Sequence, residues 1–587
     1  MKYIISFLGS LAANLLSLAV FFLIVPAFAV AAIFAFLMAQ LGLAPSGTFD
    51  NAAIVLNLSD SVCEFAPPTD ALSNLKRGGA ASSVLSICSK IEAAARDDSN
   101  KLVFISGSFD CAAEDVSYAQ IAELRAALRK YAESGKEVVA YLENPSTRDY
   151  FLASAATTVF LNPFSELEFK GLGGNAAFFG NALKKYGVEV EVVKVGALKS
   201  FGEMFTSDKM SEPVRENYAG LLDSVWNSVL ESVAKSRKIS AAALAGVAEK
   251  KAVLSAADAL AARLVDRLAY RDEVIDYISE KVGADGVSFA QISVADYEFP
   301  ECGPDCVGVV AVVYLNGEIS AAKPANDIVD AATYCVLLRE LRFDENVKAV
   351  VLRVNSGGGS AYESESIRRE VELLAKAKPV VASFGGISAS GAYWISTAAN
   401  KIYADAESIT GSIGVFSLLF SAEKLAADFG ITFDGAKTAP MSDIGTFSRR
   451  PTNAEIARIR AATDTVYSKF VSLVSSSRKI PRDAVLKLAD GRVFSGAAAK
   501  KLKLLDEIGG LSEAVEYAKK ASKCESACVA ECPQRDAVRD LLDMVSEGGA
   551  PFAKSVPIKT LERFKKLAET KRRSAVYTRT PFDFHIR

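Results

Sequence analysis

The chain has almost no histidine. Among its 587 residues the one histidine is His585, two residues before the C-terminus. A Ser-His-Asp triad needs an imidazole that packing and a carboxylate hold in place, and the basic segment 571–587 is poorly suited to that. The shortage also disfavours a mixed Cys/His metal site. A serine nucleophile in this chain therefore needs another base, and lysine is the obvious candidate.

Charge is missing from the N-terminal region, where no charged side chain occurs from Tyr3 to Phe49. This run exceeds the ~20 residues of one bilayer crossing and the ~7–15 residues of a signal-peptide core. We predict a membrane anchor in residues 1–44, with one spanning helix near 18–43; a re-entrant hairpin through Asn14 or Pro26 is the alternative. Lys2 precedes the run and the next basic residue is Lys76. The positive-inside rule then puts the bulk of the protein outside the cytoplasm.

The remaining composition restricts the partners and the redox state. A net charge of -3 gives no support for a nucleic-acid partner. Nine cysteines are present, and those at 302 and 306 and at 524, 528 and 532 share a spacing of four. In an oxidising compartment this spacing is typical of disulfides that hold late-joining segments. Unpaired structural cysteines and a metal site are the alternatives, although C-x3-C is not the usual zinc spacing.

The chain contains a tandem duplication. Tyr150–Ala156 resembles Tyr393–Ala399, and Ser236–Ile239 resembles Ser477–Ile480, in the same order and at a nearly constant offset. Each copy alternates Val/Ile-rich strands with helical segments, which predicts an α/β fold with a mostly parallel sheet. We expect an N-terminal half at 50–295, a linker at 296–306 and a C-terminal half at 307–523. A cysteine-containing, basic tail follows at 524–587.

The two copies differ where chemistry could occur. In the second half Asn355–Ser360 carries three consecutive glycines after a strand, and Ser390 stands at the start of a helix. The first half has Thr147 near the position of Ser390 and no triple glycine. It has Lys199 instead, and the second half has no lysine at the matching position. These differences predict one composite site per chain.

The glycines and the lysine could each serve catalysis, or each could have a role unrelated to it. Amides in the run 357–359, together with that of Gly391, could form an oxyanion hole. A phosphate cradle or a plain turn is the alternative, but the spaced glycine pattern of a P-loop is absent. A lysine base must be neutral, which burial favours by lowering its pKa. Spacing alone does not separate Lys199 from Lys194, and either could be an ordinary surface lysine.

Four segments together resemble the signal peptide peptidase A family in its long, duplicated form, also called protease IV. They are Arg353–Ser360, Ala389–Ser396, Thr410–Gly414 and Gly196–Ser200. The resemblance covers about residues 50–523. Gly357 departs from the family, which usually has proline there, and the segment after Cys524 has no counterpart that we can place.

The resemblance implies a Ser-Lys dyad. Its residues are Ser390 as nucleophile, Lys199 as general base, Ser412 holding the lysine amine, and Gly358 or Gly359 with Gly391 as oxyanion donors. It further implies tandem Clp-protease/crotonase-like domains, a homotetramer on the outer face of a bacterial cytoplasmic membrane, and no cofactor or metal. The substrates would be hydrophobic peptides, namely remnant signal peptides in the lipid bilayer.

Two other functions fit parts of the sequence. A crotonase-type enzyme acting on acyl thioesters would share the oxyanion architecture, but it would not need Ser390 or Lys199. A non-catalytic membrane scaffold descended from the peptidase is the second alternative. The presence of Ser390, Lys199 and Ser412 in one chain argues against it.

Overall fold

The computed structural model describes residues 52–60, 62–65, 82–111, 116–284, 289–299, 306–322, 327–532 and 577–579. The predicted membrane anchor and most of the predicted linker lie outside these residues. Within the described residues, no helix combines the length and the apolar character needed to cross a bilayer.

The first half alternates strands and helices. Its strands are β1 (Ala52–Asn57), β2 (Val62–Cys63), β3 (Ser82–Ser83), β4 (Asn100–Ser106), β5 (Glu137–Leu142), β6 (Thr158–Leu161), β7 (Glu166–Glu168), β8 (Glu189–Val195), β9 (Val253–Ser255), β10 (Arg267–Leu268) and β11 (Gln291–Ser293). Its helices are α1 (Val84–Ala94), α2 (Tyr118–Glu133), α3 (Thr147–Ala153), α4 (Gly180–Lys185), α5 (Glu203–Thr206), α6 (Glu212–Arg237), α7 (Ala241–Lys250), α8 (Ala256–Ala261) and α9 (Arg271–Val282).

The second half repeats the alternation, as the duplication predicts. Its strands are β12 (Val309–Asn316), β13 (Glu318–Ile319), β14 (Ile328–Val329), β15 (Val347–Ser356), β16 (Gly358–Ser360), β17 (Val380–Ala389), β18 (Lys401–Ala404), β19 (Ile409–Gly411), β20 (Val415–Ser421), β21 (Val493–Ser495), β22 (Glu507–Ile508), β23 (Cys528–Cys532) and β24 (Tyr577–Arg579). Its helices are α10 (Ala331–Phe343), α11 (Ala361–Ala375), α12 (Gly391–Ser396), α13 (Glu423–Asp428), α14 (Asn453–Arg478), α15 (Arg482–Leu486), α16 (Gly496–Lys501) and α17 (Leu511–Ala521).

Each half is built around a parallel sheet. The first has the order β10-β6-β5-β4-β1-β11, and the second contains the matching order β22-β18-β17-β15-β12-β23. All these neighbours pair in parallel. The strands read as continuous apolar runs because helices cover both faces of the sheet. In β4, for example, Val103 and Ile105 belong to one buried cluster, and Leu102 and Phe104 belong to another.

Strand β23 gives part of the tail a place in the fold. It pairs in parallel with β12 at the sheet edge, the position that β11 has in the first half. The disulfide Cys306–Cys528 joins it to the last residue of the predicted linker, directly before the second half. The expectation of disulfides is therefore confirmed for this pair, which holds a late-joining strand.

A third sheet contains strands from both halves. Its order is β14-β13-β16-β24-β20-β8, and β8 is contributed by the first half. Strand β8 pairs antiparallel with β20 over seven residue pairs, from Val195 opposite Val415 to Glu189 opposite Ser421. This pairing carries the end of a first-half strand into the second half, where Lys199 follows it.

Candidate active site

Ser390 lies at the corner between β17 and α12. Its backbone has φ 59° and ψ -116°, a conformation that L-residues rarely adopt and that costs on the order of 1–3 kcal/mol. The Ser390 amide donates a hydrogen bond to the Gly411 carbonyl oxygen at 2.9 Å, which helps to hold the corner. The side chain makes no capping bond to its own helix. The hydroxyl is thus directed away from the helix amides that a serine at this position usually contacts.

Lys199 reaches this corner from the first half. It lies four residues beyond the end of β8, and the Leu198 amide donates to the Asp490 carbonyl oxygen at 2.7 Å. The backbone of Lys199 passes close to Gly491. A Cβ on residue 491 would lie 2.4 Å from the main-chain nitrogen of Lys199. Gly491 has φ 93°, so glycine is required both by its conformation and by this approach.

The lysine amine and two serines form the centre of the site. Lys199 Nζ lies 2.7 Å from Ser390 Oγ, 2.8 Å from Ser412 Oγ and 2.9 Å from the Ser412 carbonyl oxygen. Ser412 itself has φ 51°, and its amide donates to the Arg492 carbonyl oxygen at 2.7 Å. The structure therefore brings together the three side chains that the sequence singled out.

The surroundings favour the neutral amine. All three residues are fully buried, and desolvation holds the pKa of Lys199 well below its usual range. A neutral amine has two N–H donors and one lone pair. The two Ser412 oxygens can accept both N–H groups, which leaves the lone pair facing the Ser390 hydroxyl. In that form the amine is oriented as a base toward Ser390.

The glycine strand lies beside the helix that follows Ser390. Strand β16 contacts α12, which Gly391 begins. Gly359 has φ 158° and lies close to Ile319. A Cβ on residue 359 would be 1.9 Å from the Ile319 carbonyl oxygen. The Gly358 amide donates to Ser356 Oγ at 3.1 Å. An oxyanion role for Gly358 would require that bond to break.

A buried ion-pair cluster on β15, the strand that pairs with the one leading to Ser390, was not assigned a role from the sequence. Arg353, fully buried in β15, pairs with Glu123 of the first half at 2.5 Å and also with Glu64. Its guanidinium further donates to Ser383 Oγ at 3.0 Å in β17, the strand that leads to Ser390. Burial opposes the charge, but the two carboxylates outweigh it and keep the pKa of Arg353 above its ordinary value. The only sequence signal was a charged residue inside an apolar strand.

First-half residues also contact the strand that leads to Ser390. A Cβ at Gly386 would lie 2.7 Å from Ser117 Oγ, and one at Gly385 would lie 3.1 Å from a Glu64 carboxylate oxygen. In the same segment the Ile387 amide donates to Asn355 Oδ1 at 3.1 Å. The first half thus supplies Lys199 and also positions the strand that carries Ser390.

Comparison with known proteins identifies relatives of both halves. The model of peptidase family S49 matches residues 130–285 and 372–525, one segment in each half. Protease 4 of Salmonella typhi is 35% identical over 68% of this chain and 66% of its own length. Protease 4 of Haemophilus influenzae is 33% identical over 69% of each. The serine protease SPPA, chloroplastic, of Arabidopsis thaliana is 29% identical over 68% of this chain and 61% of its own.

The matches thus span about two thirds of the length of these relatives. Among solved structures, ClpP1 from Listeria monocytogenes aligns with 34% of this chain and 91% of its own. The sequence identity is 18% and the TM-score is 0.22, so this likeness carries no argument about assembly or mechanism.

Proposed function

The chain belongs to peptidase family S49, and on that premise we propose that it is a serine endopeptidase with a Ser-Lys dyad that degrades hydrophobic peptides such as cleaved signal peptides. One observation carries the proposal. A fully buried lysine amine lies 2.7 Å from the hydroxyl of a serine at a strained strand-helix corner. The names of the relatives, Protease 4 and serine protease SPPA, support the same reaction.

In the proposed reaction the neutral Lys199 amine takes the proton of Ser390 as Oγ attacks the peptide carbonyl carbon. The carbonyl electrons move to the oxygen, and amides of the glycine strand and of Gly391 stabilise the oxyanion. When the C–N bond breaks, the Lys199 ammonium returns its proton to the departing amine. Water then attacks the acyl-enzyme while Lys199 takes a proton from it. As the Oγ–acyl bond breaks, the Lys199 ammonium gives that proton to Ser390 Oγ, which releases the acid and restores the neutral amine. Ser412 keeps the amine oriented throughout.

The proposal includes a membrane-anchored enzyme whose catalytic part lies outside the cytoplasm, on the outer face of a bacterial cytoplasmic membrane. The uncharged run from Tyr3 to Phe49 supports an anchor in contact with lipid. The disulfide Cys306–Cys528 fits an oxidising compartment. Both features agree with substrates that are left in the bilayer after protein export.

A homotetramer is also part of the proposal. Exposed aromatic side chains gather near the β8–β20 ribbon and the segment after α13; they are Phe179, Phe420, Phe429, Phe433 and Phe447. Exposed apolar clusters of this kind are typical of protein interfaces. Burial of this face against another copy would explain its composition.

Cleavage of a hydrophobic signal-peptide sequence tests the activity. We expect the wild type to cleave it at internal bonds, Ser390→Ala to be inactive, and a fluorophosphonate probe to label the wild type only. Ser388→Ala is the matched control. Ser388 lies two residues before Ser390, and its hydroxyl is also buried but has no hydrogen-bond partner among the described residues. Full turnover by Ser390→Ala would exclude the dyad. An acyl-thioester enzyme would leave the peptide intact and hydrolyse an acyl thioester instead.

A further inference from the structure

Residues 490–493 connect the two chain segments that surround the lysine amine. On one side the Leu198 amide donates to the Asp490 carbonyl oxygen at 2.7 Å. On the other side the Ser412 amide donates to the Arg492 carbonyl oxygen, also at 2.7 Å. The lysine segment comes from the first half and the serine segment from the second, so residues 490–493 set the distance between them.

The connected segments touch through their backbones. The Gly491 amide donates to the Ile413 carbonyl oxygen at 3.0 Å, and a Cβ on Gly414 would lie 3.2 Å from the Gly491 Cα. A protein interior packed this closely has little free volume, so a displaced segment also moves its neighbours. A shift of residues 490–493 would therefore change the distance between the lysine amine and its serine partner.

The first half holds residues 490–493 a second time, through one asparagine side chain. Asn217 Nδ2 donates to the Val493 carbonyl oxygen at 3.1 Å, and the Val493 amide donates to Asn217 Oδ1 at 3.1 Å. A side-chain amide has both a donor and an acceptor, so it can bond a strand residue as a neighbouring strand would. Val493 begins β21, which pairs with β19 along one edge, and Asn217 occupies the opposite edge.

Helix α6 gives Asn217 a fixed position in the first half. Its residues Val214, Tyr218 and Leu221 are buried in the main apolar cluster of that half, and Val493 is buried in the same cluster. The asparagine therefore acts from a packed helix, and it acts at the end of β21 that leads directly back to residue 492.

We propose that Asn217 is a positioning residue for the candidate base. Through Val493 it fixes the segment that places the Lys199 amine against Ser412. The inference rests on the proposed function, because it takes Lys199 to be the general base. With both N–H groups of the neutral amine on Ser412, the lone pair faces Ser390. A shifted segment would misalign the amine and admit water, which favours the charged form.

Asn217→Leu in the full-length chain tests the proposal, because leucine has a similar size and neither hydrogen-bonding group. We expect kcat for a hydrophobic peptide to fall about 10- to 100-fold with KM unchanged, where kcat is normalised to the folded fraction measured by near-UV circular dichroism. Asn217→Ala, which removes the same two bonds without a branched side chain, should behave alike.

Ser224→Ala is the matched control for the contact between α6 and β21. The Ser224 hydroxyl lies 2.6 Å from that of Ser495 at the other end of β21, so its loss should leave kcat at the wild-type value. Wild-type kcat in both Asn217 variants would overturn the proposal. An equal fall of kcat in Ser224→Ala would also overturn it, because the effect would then belong to the packing of helix on strand.

Titration of the Lys199 amine separates this proposal from the proposed function. In the full-length chain with an isotope label at lysine Cε, the Lys199 signal is the nuclear magnetic resonance that Lys199→Ala lacks. Its titration midpoint should rise by about one pH unit in Asn217→Leu and stay unchanged in Ser224→Ala. An unchanged midpoint in Asn217→Leu would overturn the proposal even if peptides are cleaved. A raised midpoint, in a protein without Ser390-dependent cleavage, would support the positioning and contradict the proposed function.

Discussion

The two halves share a framework down to individual hydrogen bonds. Tyr150 in the first half donates to the Leu264 carbonyl oxygen at 2.8 Å, and its counterpart Tyr393 donates to that of Leu504 at 2.6 Å. The pair Arg237–Asp266 corresponds to Arg478–Asp506, both at 2.7 Å. Helices α6 and α14 both have 26 residues and end at a left-handed lysine. The shared contacts are those that join helices to the sheet.

The halves differ at the corner where chemistry is proposed. In the first half, Ser146 has ordinary extended geometry and caps α3 through a reciprocal bond with Asp149. The neighbouring Thr147 hydroxyl donates to the Glu168 carbonyl oxygen. In the second half Ser390 occupies a strained corner and caps nothing. The comparison teaches that the serine proposed as nucleophile is the one whose hydroxyl is not used to cap its helix.

Substitution of Lys199 should have the largest effect, because it tests whether the first half supplies the base for Ser390 of the second half. Lys199→Ala should lower kcat by about 10⁴-fold or more, because a dyad residue has no substitute. Lys194→Ala should keep wild-type activity, since its amine is partly exposed and lies 3.7 Å from Glu203. Peptide cleavage under saturating substrate measures both. If kcat fell equally in Lys199→Ala and Lys194→Ala, the first half would not contribute a specific base, and Lys199 would not be the general base.

Cutting the ion pairs between the halves should have the next largest effect. Arg353→Met leaves Glu64 and Glu123 buried without their cation, which should lower the free energy of unfolding by about 3–5 kcal/mol. Arg339→Met breaks an exposed pair with Glu370 and should change the free energy of unfolding far less, because exposed ion pairs contribute little to stability. Urea unfolding measures the difference. If the two variants are equally stable, the halves are held together by apolar contacts alone.

Ser412 connects the lysine to the second half, and its loss should have a moderate effect. Ser412→Ala removes one of three partners of the amine, which we expect to lower kcat about tenfold. Ser417→Ala is the matched control, because its hydroxyl is also buried but faces Thr463 in a neighbouring helix. Steady-state kinetics at several substrate concentrations distinguish kcat from KM. An effect on KM alone would argue that Ser412 contacts substrate and does not orient the base.

The pH dependence of the wild type tests the protonation state of Lys199 without any substitution at the site. The pKa of Lys199 is lowered, so its neutral, basic form grows as pH rises, and kcat/KM should increase about tenfold per pH unit below that pKa. Above it the profile should level off. His585→Ala should have the same profile as the wild type. A limb near the usual histidine range that disappears in His585→Ala would contradict a lysine base.

The sequence predicted the residues that meet at the candidate site better than the contacts that hold them there. Ser390, Lys199 and Ser412 stand in recognisable segments, and the duplication showed that each half contributes. The pairing of Arg353 with Glu64 and Glu123 joins residues more than 200 positions apart, and such contacts leave no periodic signal in a chain. The crossing of β8 into the other half is likewise set by tertiary pairing.

The segment after Cys524 was likewise predictable only in part from the sequence. The spacing of its cysteines indicated disulfides, and Cys306–Cys528 is one of them. That Cys528–Cys532 completes the sheet in the place of Gln291–Ser293 could not be predicted, because the two segments have no sequence likeness and edge strands depend on the sheet they join. The alternation of strand and helix, by contrast, followed directly from apolar periodicity.

The burial of Lys199 determines when the proposed base comes into existence. In an unfolded chain this lysine is exposed and has an ordinary pKa, so at neutral pH it is charged and cannot accept a proton. Only after β8 has paired with β20 and the amine has left water does a base exist. In the proposed mechanism the serine of the nascent chain therefore has no base to activate it, and the activity arises only when the fold is complete.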